Sequence, residues 1–256
     1  AVLAQIVAIR LSGIAVDGKV EPAWRRAPVY AGFLLRGTER PAPQRTEARI
    51  GFDGRRLLFL VKCFDEKVVA RRRPHDGHIW EDDSVEVFLA PSPDWYVQFI
   101  VNAEGSTYEG LGTDPGWDCR WRRAVGRFDG GWLAEIAVPL EALPLDHRCL
   151  GTWRVNICRN DLPKGRHYTL APISDQTFHA PRFFLPLIVK GLDIRPLVAR
   201  RLRGRAASLA ERAERLSRRL RGLRLKPAQG LASTAADVAR RAMEVGRSIR
   251  PEGVAE

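Results

Sequence analysis

The chain has 256 residues, 45% apolar and 28% charged, a composition that excludes general disorder. No apolar run approaches the roughly 20 residues that cross a bilayer as a helix, and four scattered cysteines in so long a chain make no disulfide scaffold. Its 42 basic and 30 acidic side chains leave a net charge of +12, which at face value points to a polyanionic partner.

In chain order, the opening AVLAQIVAIR is apolar but has neither a basic region before it nor a small-x-small cleavage site in place. It reads as a first strand or docking segment, and the compartment stays open between cytoplasmic, secreted and periplasmic. From Thr46 short period-2 runs recur between turn residues, the spacing of an antiparallel sandwich. Thr46 to Phe52 and Leu57 to Asp65 flank Asp53-Gly54, a pair suited to a type I′ turn, whose central residues both need positive φ. Ser84 to Ala90 turns at Pro91-Ser92-Pro93-Asp94 and returns as Trp95 to Asn102. Further strands are expected at Trp132 to Val138, Thr152 to Arg159 and Phe183 to Val189, with a single helical turn at Leu140 to Leu143.

Alternation assigns faces. Val85, Val87 and Leu89 point into the inter-sheet core, while Ser84, Glu86 and Phe88 point the other way. Across the hairpin Tyr96, Gln98 and Asn102 are placed to share the face of Glu86. A carboxylate, an amide and aromatic rings on one concave surface suit a sugar, whose hydroxyls want hydrogen-bond partners and whose C–H face stacks on a flat ring. The same residues also furnish the ordinary solvent face of an antiparallel sheet, and alternation leaves both readings open.

The stretch Trp80-Glu81-Asp82-Asp83-Ser84-Val85-Glu86-Val87-Phe88-Leu89, followed by Trp95 to Gly105, resembles the central motif of carbohydrate-binding module family 9 domains, which are DOMON-type β-sandwiches. Other landmarks keep the same order: Ile14 to Trp24 with Ala27 for the opening I-x-x-D-G and Trp, Gly131 to Leu140 for the gW-x-x-E-x-x-iP-l segment, and Phe178-His179-Ala180-Pro181-Arg182-Phe183-Phe184 for the close. The resemblance runs from about Leu11 to Val189. It implies a mainly β fold, an immunoglobulin-like or jelly-roll-type sandwich, and a non-catalytic module that binds the chain end of a β-glucan or xylan between two tryptophans. Calcium ions support loops in that family.

By motif position Trp80 is the first stacking ring and Glu86 a hydroxyl acceptor; Gln98, Asn156 and Arg159 join them by strand. Leu170 stands where the second tryptophan belongs, and Tyr168 is the candidate substitute.

Three other chemistries have partial signals in the sequence. Glu81, Asp82, Asp83 and Glu86 invite a glycan hydrolase, but nothing in the spacing assigns a carboxylate pair. His75-Asp76-Gly77-His78 offers two imidazoles, yet His147, His167 and His179 stand at no recognisable zinc spacing, so the segment reads as an exposed loop. The related haem-binding sandwiches use Met and His, and the single methionine here, Met243, lies outside the sandwich.

The charge belongs to the tail. Gly191 to Glu256 holds 16 basic and 7 acidic residues, leaving only +3 for residues 1–190, and all seven Trp and four Tyr precede Lys190. This places a sandwich over 1–190 and a basic extension over 191–256. Leu202, Ala206, Leu209, Ala213, Leu216, Leu220 and Leu223 form a heptad stripe, Lys226 to Gly230 breaks it, and Leu231, Ala235, Val238, Ala242, Val245 and Ile249 repeat it, with Thr234 and Asp237 as a capping box. An αα-hairpin follows. Its stripes bury against one another or the sandwich, pair with a second copy as a homodimer, or present arginines to an anionic surface. Specific DNA reading is not expected, since the first helix offers almost no Asn or Gln for base edges.

Overall fold

A computed structural model describes residues 5–221 and 226–249. The first four residues of the opening run, and Leu223 of the heptad stripe, lie outside them. The chain forms two compact units: one comprises residues up to Pro144 with Gly151–Leu192, and the other Leu145–Leu150 with the segment from Asp193 onward.

The first unit is the β-sandwich. Its strands are β1 (Ile6–Arg10), β2 (Leu34–Leu35), β3 (Thr46–Phe52), β4 (Arg56–Phe64), β5 (Ser84–Ser92), β6 (Trp95–Asn102), β7 (Thr107–Leu111), β8 (Arg122–Phe128), β9 (Gly131–Pro139), β10 (Trp153–Asp161), β11 (Arg166–Thr169) and β12 (Leu185–Val189). The order is β7-β6-β5-β10-β12-β1-β3-β4-β9-β8, with β11 alongside β10 and β2 alongside β11. β1 is the seam: its first half pairs in parallel with β12 and its second half in parallel with β3, so one strand serves both layers. Every other pairing among these strands is antiparallel.

The strands that alternation leaves out are explained by position. β7 and β8 are the edges of the order, and β8 is half-exposed with arginines in place of an apolar alternation. The first hairpin differs from its reading by one residue. Asp53 N–H donates to the Arg56 carbonyl, the turn residues are Gly54-Arg55, and only Gly54 has positive φ, at 103°. That is the signature of a type II′ turn rather than I′. Asp53 instead uses its carboxylate to accept from the Arg55 and Arg56 amides.

Val85, Val87 and Leu89 of β5 are buried, as are Leu57, Phe59 and Val61 of β4 and the Trp132, Ala134 and Ile136 row of β9, which share one face of their sheet. A second cluster of Leu11, Ile14, Trp24, Ala27, Leu58, Leu60 and Leu133 lies on the other face of β4 and β9. It explains two motifs. Glu135 accepts from the Asp17 and Gly18 amides at 3.1 and 2.9 Å and from the Trp24 indole at 3.4 Å, so the Glu of the late motif ties down the D-G and Trp of the opening one.

The second unit contains α1 (Arg195–Arg221) and α2 (Lys226–Ser248), packed antiparallel through small residues. Ala210, Ala213, Ala239 and Ala242 form its core, and the Ser217 hydroxyl donates to the Ala232 carbonyl at 2.9 Å. Two expectations are corrected here. Lys226 to Gly230 is not a break but the first turn of α2, where Pro227 is tolerated because the first amides have no intrahelical acceptor. Thr234 is therefore inside the helix and donates to the Gly230 carbonyl, and Asp237 pairs with Arg240 instead of completing a capping box.

Candidate functional site

Strand register assembles the site. Glu86 stands opposite Ile100 on β6 and Cys158 on β10, Ile100 opposite Tyr108 on β7, and Asn160 opposite His167 on β11. With a period of 2, Glu86, Gln98, Ile100, Tyr108, Asn160 and His167 all project from one face. Trp80, in the short 3-10 turn before β5, Arg36 after β2, and Phe178-His179 before β12 raise the walls of a cavity of about 310 Å³ over them.

At its floor Glu86 is buried, and its two carboxylate oxygens accept from Gln98 Nε2 and Asn160 Nδ2, each at 2.7 Å. Burial raises its pKa above the usual carboxylate range, against the Asn160 and Gln98 hydrogen bonds and the Arg36 charge, which lower it. Asn160 Oδ1 lies 2.7 Å from His167 Nδ1. Because an amide oxygen can only accept, His167 Nδ1 carries the proton and its Nε2 is left as an acceptor. Burial, then the Arg36 charge, lowers the His167 pKa and favours this neutral ring. The floor is thus a chain of fixed donors and acceptors, with a spare lone pair on each Glu86 oxygen.

The walls are aromatic. Trp80 remains 37% exposed, with His78 stacked on it at 4.9 Å and Tyr108 meeting it edge-on at 5.6 Å. Arg36 lies over the Phe178 ring at 4.9 Å. His179 is held by Tyr96, its Nδ1 at 2.8 Å from the phenol oxygen. A flat exposed ring beside a polar floor can stack one face of a ring-shaped ligand and hydrogen-bond its edge.

Of the residues singled out from sequence, Trp80, Glu86 and Gln98 line this cavity. The other three are built into the protein. Asn156 is buried and accepts from the Ala171 amide while donating to the Thr169 hydroxyl. Arg159 lies opposite Val85, on the core face, and its guanidinium pairs with Asp65 at 2.6 Å. Tyr168, opposite Arg159, donates its hydroxyl to Asp161 at 2.5 Å, and Leu170 is buried as well. Lining residues not foreseen include Arg36, Tyr108, Asn160, His167, Phe178 and His179. Phe178 and His179 were visible in the closing motif, and Asn160 is one residue beyond Arg159, where strand parity reverses the face.

The acids beside Trp80 serve as anchors. Asp82 pairs with Arg73 at 2.8 Å and accepts from Asn102, while Asp83 accepts from the Val69 and Leu162 amides. Glu86 is the one carboxylate among the cavity's lining residues. Asp65, Asp83 and Asp161 bring buried oxygens within 4.8 Å of one another, but they do not fit calcium: Arg159 pairs with Asp65 at 2.6 Å, the Lys164 ammonium lies 3.6 and 3.7 Å from Asp65 and Asp161, and backbone amides and the Tyr168 hydroxyl occupy most of the remaining oxygens.

Residues 16–184 match the family described as carbohydrate family 9 binding domain-like. The chain belongs to that family. Among solved structures it is similar to a putative carbohydrate-binding protein from Bacteroides uniformis, at 20% identity and a TM-score of 0.58, covering 72% of this chain and 98% of that one. It is also similar to a family 9 carbohydrate-binding module from Caldicellulosiruptor kristjanssonii, solved with glucose and with cellotriose, at 17% identity and a TM-score of 0.55. Those alignments cover 73% of this chain and 96% and 94% of the module. No curated protein matches the chain in sequence.

Proposed function

We propose that the sandwich is a non-catalytic glycan-binding module that takes the end of a β-glucan or xylan chain in the Trp80–Glu86 cavity. The observation that carries this is the convergence of an exposed indole with the His167–Asn160–Glu86–Gln98 chain in one cavity. A volume of about 310 Å³ is at the lower end of ligand sites, the size for one terminal sugar unit rather than a long chain. Membership of the family and the glucose and cellotriose held by the Caldicellulosiruptor module support the reading. In it Trp80 stacks the sugar ring, Glu86 and His167 accept from hydroxyls, and Gln98 and Asn160 orient Glu86.

The test is calorimetric titration with cellotriose and xylotriose of the wild type and Trp80→Ala. Binding by the wild type, weakened at least tenfold in Trp80→Ala, is the expected result. A wild type that binds neither sugar refutes it.

A second role belongs to the hairpin. Leu209 and Leu216 on α1, and Leu231, Val238 and Val245 on α2, repeat every seven residues, each just before a residue of the small interface row, and all are exposed. In an antiparallel pair this offset puts both rows on one side. Arg205, Arg212 and Arg219, also exposed, repeat at the same spacing on α1. A symmetric dimer through this side would bring like-charged rows together, whereas an anionic lipid surface matches both features. Sedimentation with phosphatidylglycerol vesicles checks it; a dimer in sedimentation velocity without vesicle binding favours self-association instead.

A further inference from the structure

The polar row of the cavity crosses the sheet from Gln98 on β6 through Glu86 on β5 and Asn160 on β10 to His167 on β11. Arg36 ends it. Its amide donates to the His167 carbonyl at 2.9 Å, one residue beyond the Leu35–Tyr168 pairing, so Arg36 lies opposite His167 and shares its face. The turn behind it is fixed, with the Gly37 amide donating to the Ile173 carbonyl at 3.0 Å and the Thr38 hydroxyl to the Leu35 carbonyl at 2.9 Å. Adjacent strands lie about 4.8 Å apart, which puts the backbones of β5 and β2, three intervals apart, at roughly 14 Å. The cavity therefore has an acidic end at Glu86 and a basic end at Arg36.

Arg36 also differs from the other arginines of the sandwich. Five of them are not exposed, and four of the five are bonded: Arg49 to the Trp24 and Ala27 carbonyls, Arg56 to Asp53, Arg73 to Asp82 and Arg159 to Asp65. Among the described residues the Arg36 guanidinium has neither a hydrogen-bond acceptor nor an ion-pair partner, only the Phe178 ring at 4.9 Å. Burial lowers its pKa. A half-buried cation of this kind has given up hydration without a partner to replace it. Glu86 does not serve, since its oxygens already hold Gln98 and Asn160. A sugar hydroxyl offers the guanidinium one acceptor atom, whereas a carboxylate offers two in the matching plane and cancels the charge.

We propose that the cavity prefers a terminal hexuronate, its carboxylate forked on Arg36 and its hydroxyls on Glu86. The inference rests on the reading of this cavity as a sugar site and narrows it to chains that end in an acidic sugar. Trp80 keeps its place as the stacking ring, and Arg36 sets the preference. The separation of the two ends lets the ligand carboxylate meet Arg36 without meeting Glu86.

The experiment is calorimetric titration of the full chain with glucose and with glucuronate, which differ only in the hydroxymethyl or carboxylate at C6. The wild type is expected to bind glucuronate roughly tenfold or more tightly than glucose. Arg36→Gln is expected to lose about tenfold or more for glucuronate and less than about threefold for glucose, with Arg36→Lys, which keeps the charge but not the fork, in between. Arg40→Gln, which removes an exposed positive charge outside the cavity, is expected to leave the preference unchanged. Circular dichroism confirms that each variant is folded. Equal affinity of the wild type for the two sugars overturns the proposal and leaves a neutral-sugar site standing. Equal losses for both sugars in Arg36→Gln, or the same loss in Arg40→Gln, overturn it as well. A wild type that binds neither sugar refutes it together with the sugar reading.

Discussion

Replacing Glu86 by glutamine separates the binding role of this buried carboxylate from its role in the fold. The shape is kept, and one carboxylate oxygen becomes an amide nitrogen facing either Gln98 or Asn160, which now approach at 2.7 Å. Gln98 can rotate its amide by half a turn and offer an oxygen, so the network closes again. Burial of the ionised group, which raises its pKa, is relieved at the same time. Stability is expected to change by no more than about 1 kcal/mol. Sugar binding behaves differently, because a hydroxyl bonded to a charged acceptor is worth about 1.5 to 3 kcal/mol, or roughly 10- to 150-fold in affinity. Calorimetry with cellotriose and a urea titration on the same variant read the two quantities. Undiminished affinity, or destabilisation beyond about 3 kcal/mol, would show that Glu86 is a structural residue and refute the reasoning.

Acid should weaken sugar binding, since protonation removes Glu86 as an acceptor at a pKa above its ordinary value and turns His167 Nε2 into a donor below its ordinary value. Affinity is expected to fall as the pH is lowered, with the fall beginning above the ordinary carboxylate value. The contribution of Glu86 to stability has the opposite sign: a raised folded-state pKa favours the protonated fold, so that contribution is present in acid and lost as pH rises through the folded pKa. Opposed pH trends in binding and unfolding, both flattened in Glu86→Gln, are the expected pattern. Arg159→Met leaves Asp65 buried with the Lys164 ammonium, 3.6 Å away, in place of a hydrogen-bonded guanidinium, and is expected to cost about 3 to 5 kcal/mol in a thermal melt with sugar affinity unchanged. Lost affinity in a folded Arg159→Met protein would place Arg159 in the site after all.

What the sequence made legible follows from what alternation encodes. Period 2 along β5 gives the face of Glu86, but Gln98 joins it only because the register shifts at an irregularity between Leu89 and Ser92, which alternation does not encode. It does not give the register of β5 with β10, strands far apart in sequence, and that register decides that Asn160 rather than Arg159 joins Glu86. Tyr168 is a candidate because it lies near the expected second tryptophan, and Asn156 because of its strand, but strand parity sends Tyr168 to the core and the Ala171 amide bonds Asn156. The heptads named the hairpin correctly and its buried partners only in part. Alanine rows buried and leucine rows exposed cannot be told apart by spacing when the two run side by side.

The seam strand sets a schedule for making this protein. Ile6 finds its partner in Leu187, so the first strand to leave the ribosome waits for one of the last strands of the sandwich. At about 5 to 20 residues per second that wait is roughly 10 to 35 s, during which the edge of β1 that β12 will cover is open to other chains. Helices α1 and α2 rely on local contacts and form quickly once made, but they emerge only after β12. An unclosed sandwich is therefore exposed for that interval, and slower translation lengthens it.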